Sequence, residues 1–223
     1  MAIKEIIYIF VTSFVALFPV INPIGSAFIV DGFFKDLNAE QRRTAAKKIV
    51  VHCVLIGIGS LLLGHFILEL FGLAVPVIQV GGGFIICKTG MEWLSGTGSA
   101  SEIDEKVPHK ISMQEVEKKL FYPLSFPIVI GAGSISVIFT LMANTAVKGN
   151  LFETGINYSI IAFVICVMLV ILYISLVQGH KIKEKLGESG NLVINKLIAF
   201  ITFCIGIQIF VTGISKIFHI PIL

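Results

Sequence analysis

Long apolar stretches alternate with short polar connections along most of the chain. About 20 consecutive apolar residues are needed to cross the hydrocarbon core of a bilayer. Against that length, the pattern predicts six membrane-spanning helices. They cover residues 6–34, 47–71, 74–94, 120–143, 155–179 and 192–218.

The longest connection, residues 95–119, is charged, contains Ser and Gly, and is expected to hold a short surface helix. It separates a first three-helix repeat at 1–94 from a second repeat at 120–223. Because each half has an odd number of spans, the two halves have opposite topology. The predicted fold is therefore an all-α polytopic membrane protein built from two inverted repeats, a common plan among secondary transporters.

An internal sequence similarity supports the repeat. FPVINPIGS at 18–26 aligns without a gap with FPIVIGAGS at 126–134, in the first span of each half. Proline removes a backbone donor, so that Pro23 frees the carbonyl of Pro19, and glycine permits backbone angles that end a helix. Unpaired backbone groups are costly in lipid. Spans one and four are therefore expected to be broken helices, each restarting just after its Gly-Ser pair.

Opposite topology would aim the positive N-terminal ends of both restarted helices at one site near the middle of the membrane. Serines there suit N-caps or donors to a ligand, and freed carbonyls suit an ammonium group or Na⁺. A small zwitterion fits this set better than a pure cation or a bulky drug. The alternative is a pair of proline kinks packed against small residues. The candidate substrate-binding residues are Asn22, Pro23, Gly25, Ser26, Gly131, Gly133, Ser134 and Gln208.

Other polar residues within the spans allow narrower predictions. The glycine run 81–83 predicts either close helix packing or an approach to the broken first span. Lys88 and Glu92 have the spacing of an ion pair within one helix. Gln208 and Thr212, one turn apart, are expected either to line a cavity or to hydrogen-bond a neighbour.

Composition agrees with a membrane protein. Of the 223 residues, 56% are hydrophobic and 14% are charged, and the mean hydropathy is +0.94, too apolar for a soluble domain of this length. The net charge of +3 is too small to indicate a nucleic-acid partner. Four isolated cysteines lack metal-ligand spacing, so no metal site is expected.

Basic residues predict the orientation. Most of them follow spans one, three and five, which places both termini on the non-cytoplasmic side. On the cytoplasmic side are Lys35, Arg42, Arg43, Lys47, Lys48, Lys106, Lys110, Lys118, Lys119, Lys181, Lys183, Lys185 and Lys196; on the other are Lys4, Lys148 and Lys216.

Acidic residues limit the transport chemistry. The carboxylates within the predicted spans, Asp31, Glu69 and Glu92, all lie near a span end. This argues against divalent-metal transport and against a carboxylate proton relay. Sodium coupling, histidine protonation and facilitated flow stay open, and no cofactor is expected. No zinc, phosphate-loop or dinucleotide motif occurs in the sequence, and the serine of GAGS at 131–134 lacks a partner base, so an enzyme is not expected.

Three stretches carry a family resemblance: FPVINPIGSAFIV, QVGGGFIICKTGMEWL and PLSFPIVIGAGSISVI, with NPIG at 22–25 the most specific element. In these motifs, and over nearly its full length, the chain resembles the MarC family of integral membrane proteins. It implies grouping with LysE-type amino-acid exporters and, for some members, transport of glycine or alanine. The family usually has Asn where this chain has Ser26, and Pro where it has Ala132.

We therefore predict a multi-pass inner-membrane transporter of a small neutral amino acid. Its partners would be the lipid bilayer and a small-molecule substrate, and a homodimer is compatible with the sequence. Two alternatives stay open at this point. One is an exporter of drugs or stress metabolites; the other is a membrane binding or regulatory protein that transports nothing.

Overall fold

The computed structural model describes residues 3–96, 113–147 and 149–220, without the side chains of residues 180–186, 188, 189 and 191. The described chain is helical and contains no strand, which confirms the all-α class. Its helices are α1 (Ile3–Ile21), α2 (Pro23–Phe33), α3 (Ala39–Leu70), α4 (Val75–Ser95), α5 (Met113–Lys119), α6 (Leu120–Val129), α7 (Ala132–Thr145) and α8 (Leu151–Phe218). Helix α6 is irregular, with extended backbone at Tyr122 and Phe126, and α8 contains a break at Gly187.

Not every predicted span meets the length and hydropathy expected of a membrane helix. Among the described residues, four stretches do: Ile3–Phe33, Ala39–Leu70, Leu151–Gly179 and Leu192–Phe218. The bent pair Met113–Val129 and Ala132–Thr145 makes a fifth. Helix α4 has 21 residues but is not among them, because its glutamine, glycines and charged pair lower its hydropathy. The structure thus gives four or five candidate spans where the pattern predicts six.

Several helices extend beyond the predicted apolar spans. Helix α3 begins at Ala39, well before residue 47, because Asn38 and Gln41 form a capping box with bonds of 2.9 and 3.0 Å. Helix α8 continues through the predicted connection 180–191 and is interrupted only at Gly187, where φ is 65°. Hydropathy marks the part of a helix suited to lipid, whereas capping groups and glycine decide where the helix ends.

Part of the predicted linker 95–119 lies outside the described residues, namely 97–112. Helix α5 lies within the remainder, where the sequence predicts a short surface helix. Its Val116 is buried, while the flanking Glu115 and Glu117 are exposed.

The closest helix packing lies between α4 and the second half of α8. A Cβ atom on Gly83 would stand 2.5 Å from the Phe210 amide nitrogen, and one on Gly213 would stand 2.8 Å from the Pro76 carbonyl oxygen. The two helices run antiparallel with their backbones in contact, as small residues allow in membrane bundles. Gly82 faces Ser136 of α7. Close helix packing is therefore confirmed for Gly82 and Gly83, while Gly81 has open space, and the predicted approach of the run to the broken first span is wrong.

Candidate functional site at the two helix breaks

The first break is a single residue. Helix α1 ends at Ile21 and α2 begins at Pro23, with Asn22 between them in the left-handed conformation (φ 44°, ψ 63°). Asparagine tolerates this conformation better than most residues with a side chain. Its Oδ1 accepts the Gly25 N–H at 3.0 Å, and Pro23 has no N–H that needs an acceptor. The start of α2 is therefore a capped helix N-terminus.

The second break has two residues and no cap. Ile130 and Gly131 are extended between α6 and α7, and the helix axes bend by 58°. No side chain caps α7. The N–H groups of Ala132, Gly133 and Ser134 fall in the first turn and therefore have no intrahelical acceptor.

Both helices restart earlier than predicted. The sequence pattern predicts each restart after the Gly-Ser pair, whereas Gly25-Ser26 and Gly133-Ser134 lie within the first turns of α2 and α7. That prediction is wrong for α2 because Asn22 caps the helix and proline is favoured at the first helical position, and for α7 because the helix begins at Ala132, directly after the extended Gly131. Ser26 and Ser134 are consequently not N-caps.

The two serines instead connect the breaks. The Ser134 hydroxyl donates to the Val20 carbonyl at 3.1 Å, and the Ser26 hydroxyl donates to the Ile21 carbonyl at 2.9 Å and reaches the Ile128 carbonyl at 3.5 Å. In the alignment of 18–26 with 126–134, Ser26 matches Ser134 and Val20 matches Ile128. The contacts between the breaks are thus equivalent in the two halves, and each serine reaches a carbonyl of the opposite break.

All four carbonyls at the end of α1 have donors. Phe18 accepts from the Asn22 N–H at 2.8 Å, and the two serines serve Val20 and Ile21. The Pro19 carbonyl, freed because Pro23 has no N–H, lies 3.2 Å from the Thr202 hydroxyl of α8, which shares its proton between this carbonyl and that of Ile198, one turn back in α8, at 2.8 Å. Sequence reasoning missed Thr202, whose only signal was a hydroxyl in the middle of the sixth predicted span.

The predicted glycines allow close packing at the breaks. A Cβ on Gly25 would overlap the Asn22 side chain, with Oδ1 at 2.8 Å, and one on Gly133 would lie 2.6 Å from Cγ1 of Ile86 in α4. At Gly131 the added atom would lie 3.0 Å from the Pro127 carbonyl oxygen. Each glycine thus allows one close contact: Gly25 with the Asn22 cap, Gly133 with α4, and Gly131 with the preceding turn at Pro127.

Gln208 is not brought to the breaks. Its side chain is exposed on α8, and its Nε2 lies 3.5 Å from the hydroxyl of Thr212, one turn away. The described contacts of this pair are hydrogen bonds within α8.

Lys88 and Glu92 do form the predicted pair, at 3.8 Å. Their side chains are 68% and 40% exposed, so the pair does not contribute to the breaks.

The chemistry of the breaks is uncharged. It consists of two serine hydroxyls, one threonine hydroxyl, one amide, backbone carbonyls and the free N–H groups of α7. Within the ranges that the structure describes, no group of three or more His, Cys, Asp or Glu could hold a metal ion. The site can exchange hydrogen bonds with a small polar molecule.

Comparison with known proteins gives relatives over nearly the whole chain. A membrane protein named UPF0056 from Pyrococcus abyssi is 29% identical over 216 residues, covering 97% of this chain and 99% of its own. One from Methanocaldococcus jannaschii is 23% identical, covering 92% and 95% of the two chains. The inner membrane protein MarC of Escherichia coli K12 is 25% identical, covering 91% and 92%. No solved structure gives a significant match.

The family model described as "MarC family integral membrane protein" matches residues 7–218. This range includes both breaks and all eight candidate residues named from the sequence. The long apolar helices agree with a chain that lies in a lipid bilayer. The protein therefore belongs to the MarC family of integral membrane proteins.

Proposed function

We propose that this protein is a secondary transporter of a small neutral amino acid, of the glycine or alanine type, which it holds between the two helix breaks. The observation that carries the proposal is the matched pair of contacts from Ser134 to Val20 and from Ser26 to Ile128. They join two broken helices at equivalent positions. Broken helices that meet in this way are typical of substrate sites in secondary transporters.

The proposed architecture has six spans, with α4 as the third, arranged as two inverted three-helix repeats. The equivalent serine contacts support the repeat, and the antiparallel packing of α4 on the second half of α8 supports α4 as a span. Basic residues favour both termini on the non-cytoplasmic side. The printed name of the Escherichia coli relative places that protein in the inner membrane, and we propose the same location here.

The pairing of donors and acceptors at the breaks favours a zwitterion. Separating the breaks would leave the Val20 and Ile128 carbonyls without the serine donors and the Ser134 hydroxyl without its acceptor, whereas Ser26 would keep its bond to the Ile21 carbonyl. Each buried group left unsatisfied costs about 1–3 kcal/mol. An ammonium group can donate to the carbonyls, while a carboxylate can accept from the hydroxyls. A pure anion or a pure cation would satisfy only one of the two sets.

The uncapped start of α7 supports a carboxylate position. Three N–H groups there have no side-chain acceptor, and the helix dipole places partial positive charge at the same end. Carboxylates are stabilised by such a combination. At the start of α2, Asn22 already occupies the equivalent position. The carboxylate is therefore assigned to α7 and the ammonium group to the carbonyls of the breaks.

Transport into proteoliposomes tests this function. We expect saturable uptake of labelled glycine or alanine, and a loss of at least tenfold when Ser26→Ala and Ser134→Ala are combined. Ser136→Ala is the matched control, because its hydroxyl also donates to a backbone carbonyl, that of Ile78 in α4 at 2.8 Å, but not to a carbonyl of either break. Unchanged uptake by the double variant would contradict the site, and absence of uptake by the unaltered protein would contradict the substrate class.

Competition with modified amino acids tests the zwitterion. Glycine methyl ester keeps the ammonium group and lacks the carboxylate, whereas glycine betaine keeps the carboxylate and has no N–H donor. We expect unlabelled alanine to inhibit glycine uptake and both modified compounds to inhibit at least tenfold less well. Equal inhibition by either compound would show that the corresponding group is not recognised.

A further inference from the structure

Four buried side-chain atoms have no hydrogen-bond partner among the described residues. They are Oγ of Ser13, Oε1 of Gln79, Oγ1 of Thr140 and Oδ1 of Asn157, on α1, α4, α7 and α8 respectively. Buried polar atoms in native proteins are nearly always paired with protein or with water. Four such oxygens on four neighbouring helices therefore indicate a polar interior that water or a solute completes.

Two of these oxygens lie at a similar distance from the breaks. The Ser134–Val20 hydrogen bond brings α1 and α7 together at the breaks. Ser13 precedes Val20 by seven residues and Thr140 follows Ser134 by six, which is about 10 Å along either helix. The start of α1 and the end of α7 lie at the same end of the molecule, because residues near both contact the start of α8. Ser13 and Thr140 are thus on the same side of the breaks.

The other two oxygens lie on this side as well. Gln79 adjoins Ile78, whose carbonyl accepts from Ser136, half a turn beyond Ser134 in α7. Asn157 donates through Nδ2 to the carbonyl of Thr145 at the end of α7, at 2.7 Å. The four oxygens therefore extend from near the breaks to the end of the molecule at which α8 begins.

A wide surface cavity of about 450 Å³, lined largely by exposed or half-buried side chains, lies at that end. Asn157, which carries one of the unpartnered oxygens, is part of its wall. The wall carries charges of both signs, an arrangement that accommodates a zwitterion. Its lining residues are Lys4, Glu5, Tyr8, Ile9, Glu153 and Asn157.

A largely buried ion pair lies on the opposite side of the breaks. The Arg42 guanidinium donates to the Asp31 carboxylate at 2.5 Å, and their side chains are only 12% and 7% exposed. Arg42 also donates to the carbonyls of Leu176 at 3.2 Å and Phe34 at 3.3 Å, which ties α3 to α8 and to the end of α2. None of the unpartnered oxygens found in the described ranges lies on this side.

We propose that the four oxygens mark the route by which water and a small zwitterion pass between the cavity and the breaks, while the Asp31–Arg42 pair closes the opposite side. The proposal rests on the transport function given above. The hydroxyls of Ser13 and Thr140 can donate and accept, and the amide oxygens of Gln79 and Asn157 can accept from an ammonium group. Uncharged groups of this kind solvate both ends of a zwitterion without holding it tightly.

Reaction of single cysteines with a small, charged, membrane-impermeant methanethiosulfonate tests the route. Ser13→Cys, Gln79→Cys and Thr140→Cys are made separately in a chain whose four native cysteines are alanine. The controls are Leu17→Cys and Met142→Cys, fully or almost fully buried apolar positions on α1 and α7. Three positions on three helices keep the test decisive if one variant does not fold.

We expect the route positions to react at least tenfold faster than the controls, and only from the face that carries Lys4. Rates equal to the controls, or equal from both faces, would overturn the route. Combining Asp31→Asn with Arg42→Gln should add reactivity from the opposite face, and no change there would overturn the proposed closure. If the route positions are not labelled but uptake still depends on Ser26 and Ser134, only the route is contradicted. If they are labelled but the protein takes up no amino acid, only the transport function is contradicted.

Discussion

The two helix breaks come from similar sequences but are built differently. At the first break a single left-handed residue, Asn22, supplies its own cap, and every carbonyl at the end of α1 has a donor. At the second, two extended residues leave the start of α7 uncapped. An internal repeat can therefore keep equivalent serine contacts in both halves while the rest of each break differs. The first break has its backbone groups paired, whereas the second has uncapped N–H groups.

The largest effect is expected from removing the cap of the first break. Asn22→Ala loses the acceptor for the Gly25 N–H, which costs about 1–2 kcal/mol, and places alanine in a left-handed conformation at a further cost of about 1 kcal/mol. Asn22→Gly is the matched control, since glycine adopts this conformation freely. Thermal unfolding in detergent should show Asn22→Ala as the less stable variant. Equal stability would mean that the conformation of residue 22 carries no strain.

The next effect concerns the glycines that follow each break. Gly25→Ala places Cβ against the Asn22 side chain and displaces the cap, so we expect a loss of about 1–2 kcal/mol. Gly133→Ala brings Cβ to 2.6 Å from Cγ1 of the buried Ile86, whose χ1 is restricted in a helix, so we expect a loss of similar size from overpacking.

A double-variant cycle checks this explanation. In the Asn22→Gly background no cap is left to displace, so Gly25→Ala should cost much less there. An unchanged cost in that background would show that the alanine acts on something other than the cap.

A smaller loss of stability is expected when the Thr202 hydroxyl no longer contacts the Pro19 carbonyl at the end of α1. Thr202→Val keeps the shape of the side chain but leaves the Pro19 carbonyl without a donor, and we expect a loss of about 1 kcal/mol in unfolding free energy. The control is Thr212→Val on the same helix, where the hydroxyl donates only to the carbonyl of Gln208, one turn away. If both variants lose the same unfolding free energy, the contact from Thr202 to the first break stabilises the protein no more than a hydrogen bond within one helix.

The smallest effect on stability is expected from adding a cap at the second break. Gly131 has the extended conformation of an N-cap residue, so Gly131→Ser should supply an acceptor for the N–H groups of α7. Relative to Gly131→Ala, which introduces the same Cβ near Pro127, the serine variant should be more stable by about 0.5–1 kcal/mol. It should also raise the KM for glycine several-fold, because the cap competes with the carboxylate. A KM equal to that of the alanine variant would show that the start of α7 does not bind the substrate carboxylate.

Sequence reasoning located both breaks but not their boundaries. Pro23 and the glycines indicate a break because their backbone properties are local. The restart at Pro23 depends on the Asn22 side chain folding onto the Gly25 N–H, one of several hydrogen bonds open to an asparagine. Gln208 is predicted at the substrate site, but its side chain is exposed on α8. The hydropathy of a span does not show whether a polar residue faces the interior of the bundle or its outside.

By itself, the sequence determined the helical class, the apolar stretches and the presence of two matched breaks, because these follow from composition and from the covalent properties of proline and glycine. Only the tertiary structure decided which groups satisfy the breaks. Thr202 lies 183 residues from Pro19, and Ser134 lies 114 residues from Val20. A hydrogen bond is short and directional, so its partner is fixed only after distant helices have packed against each other.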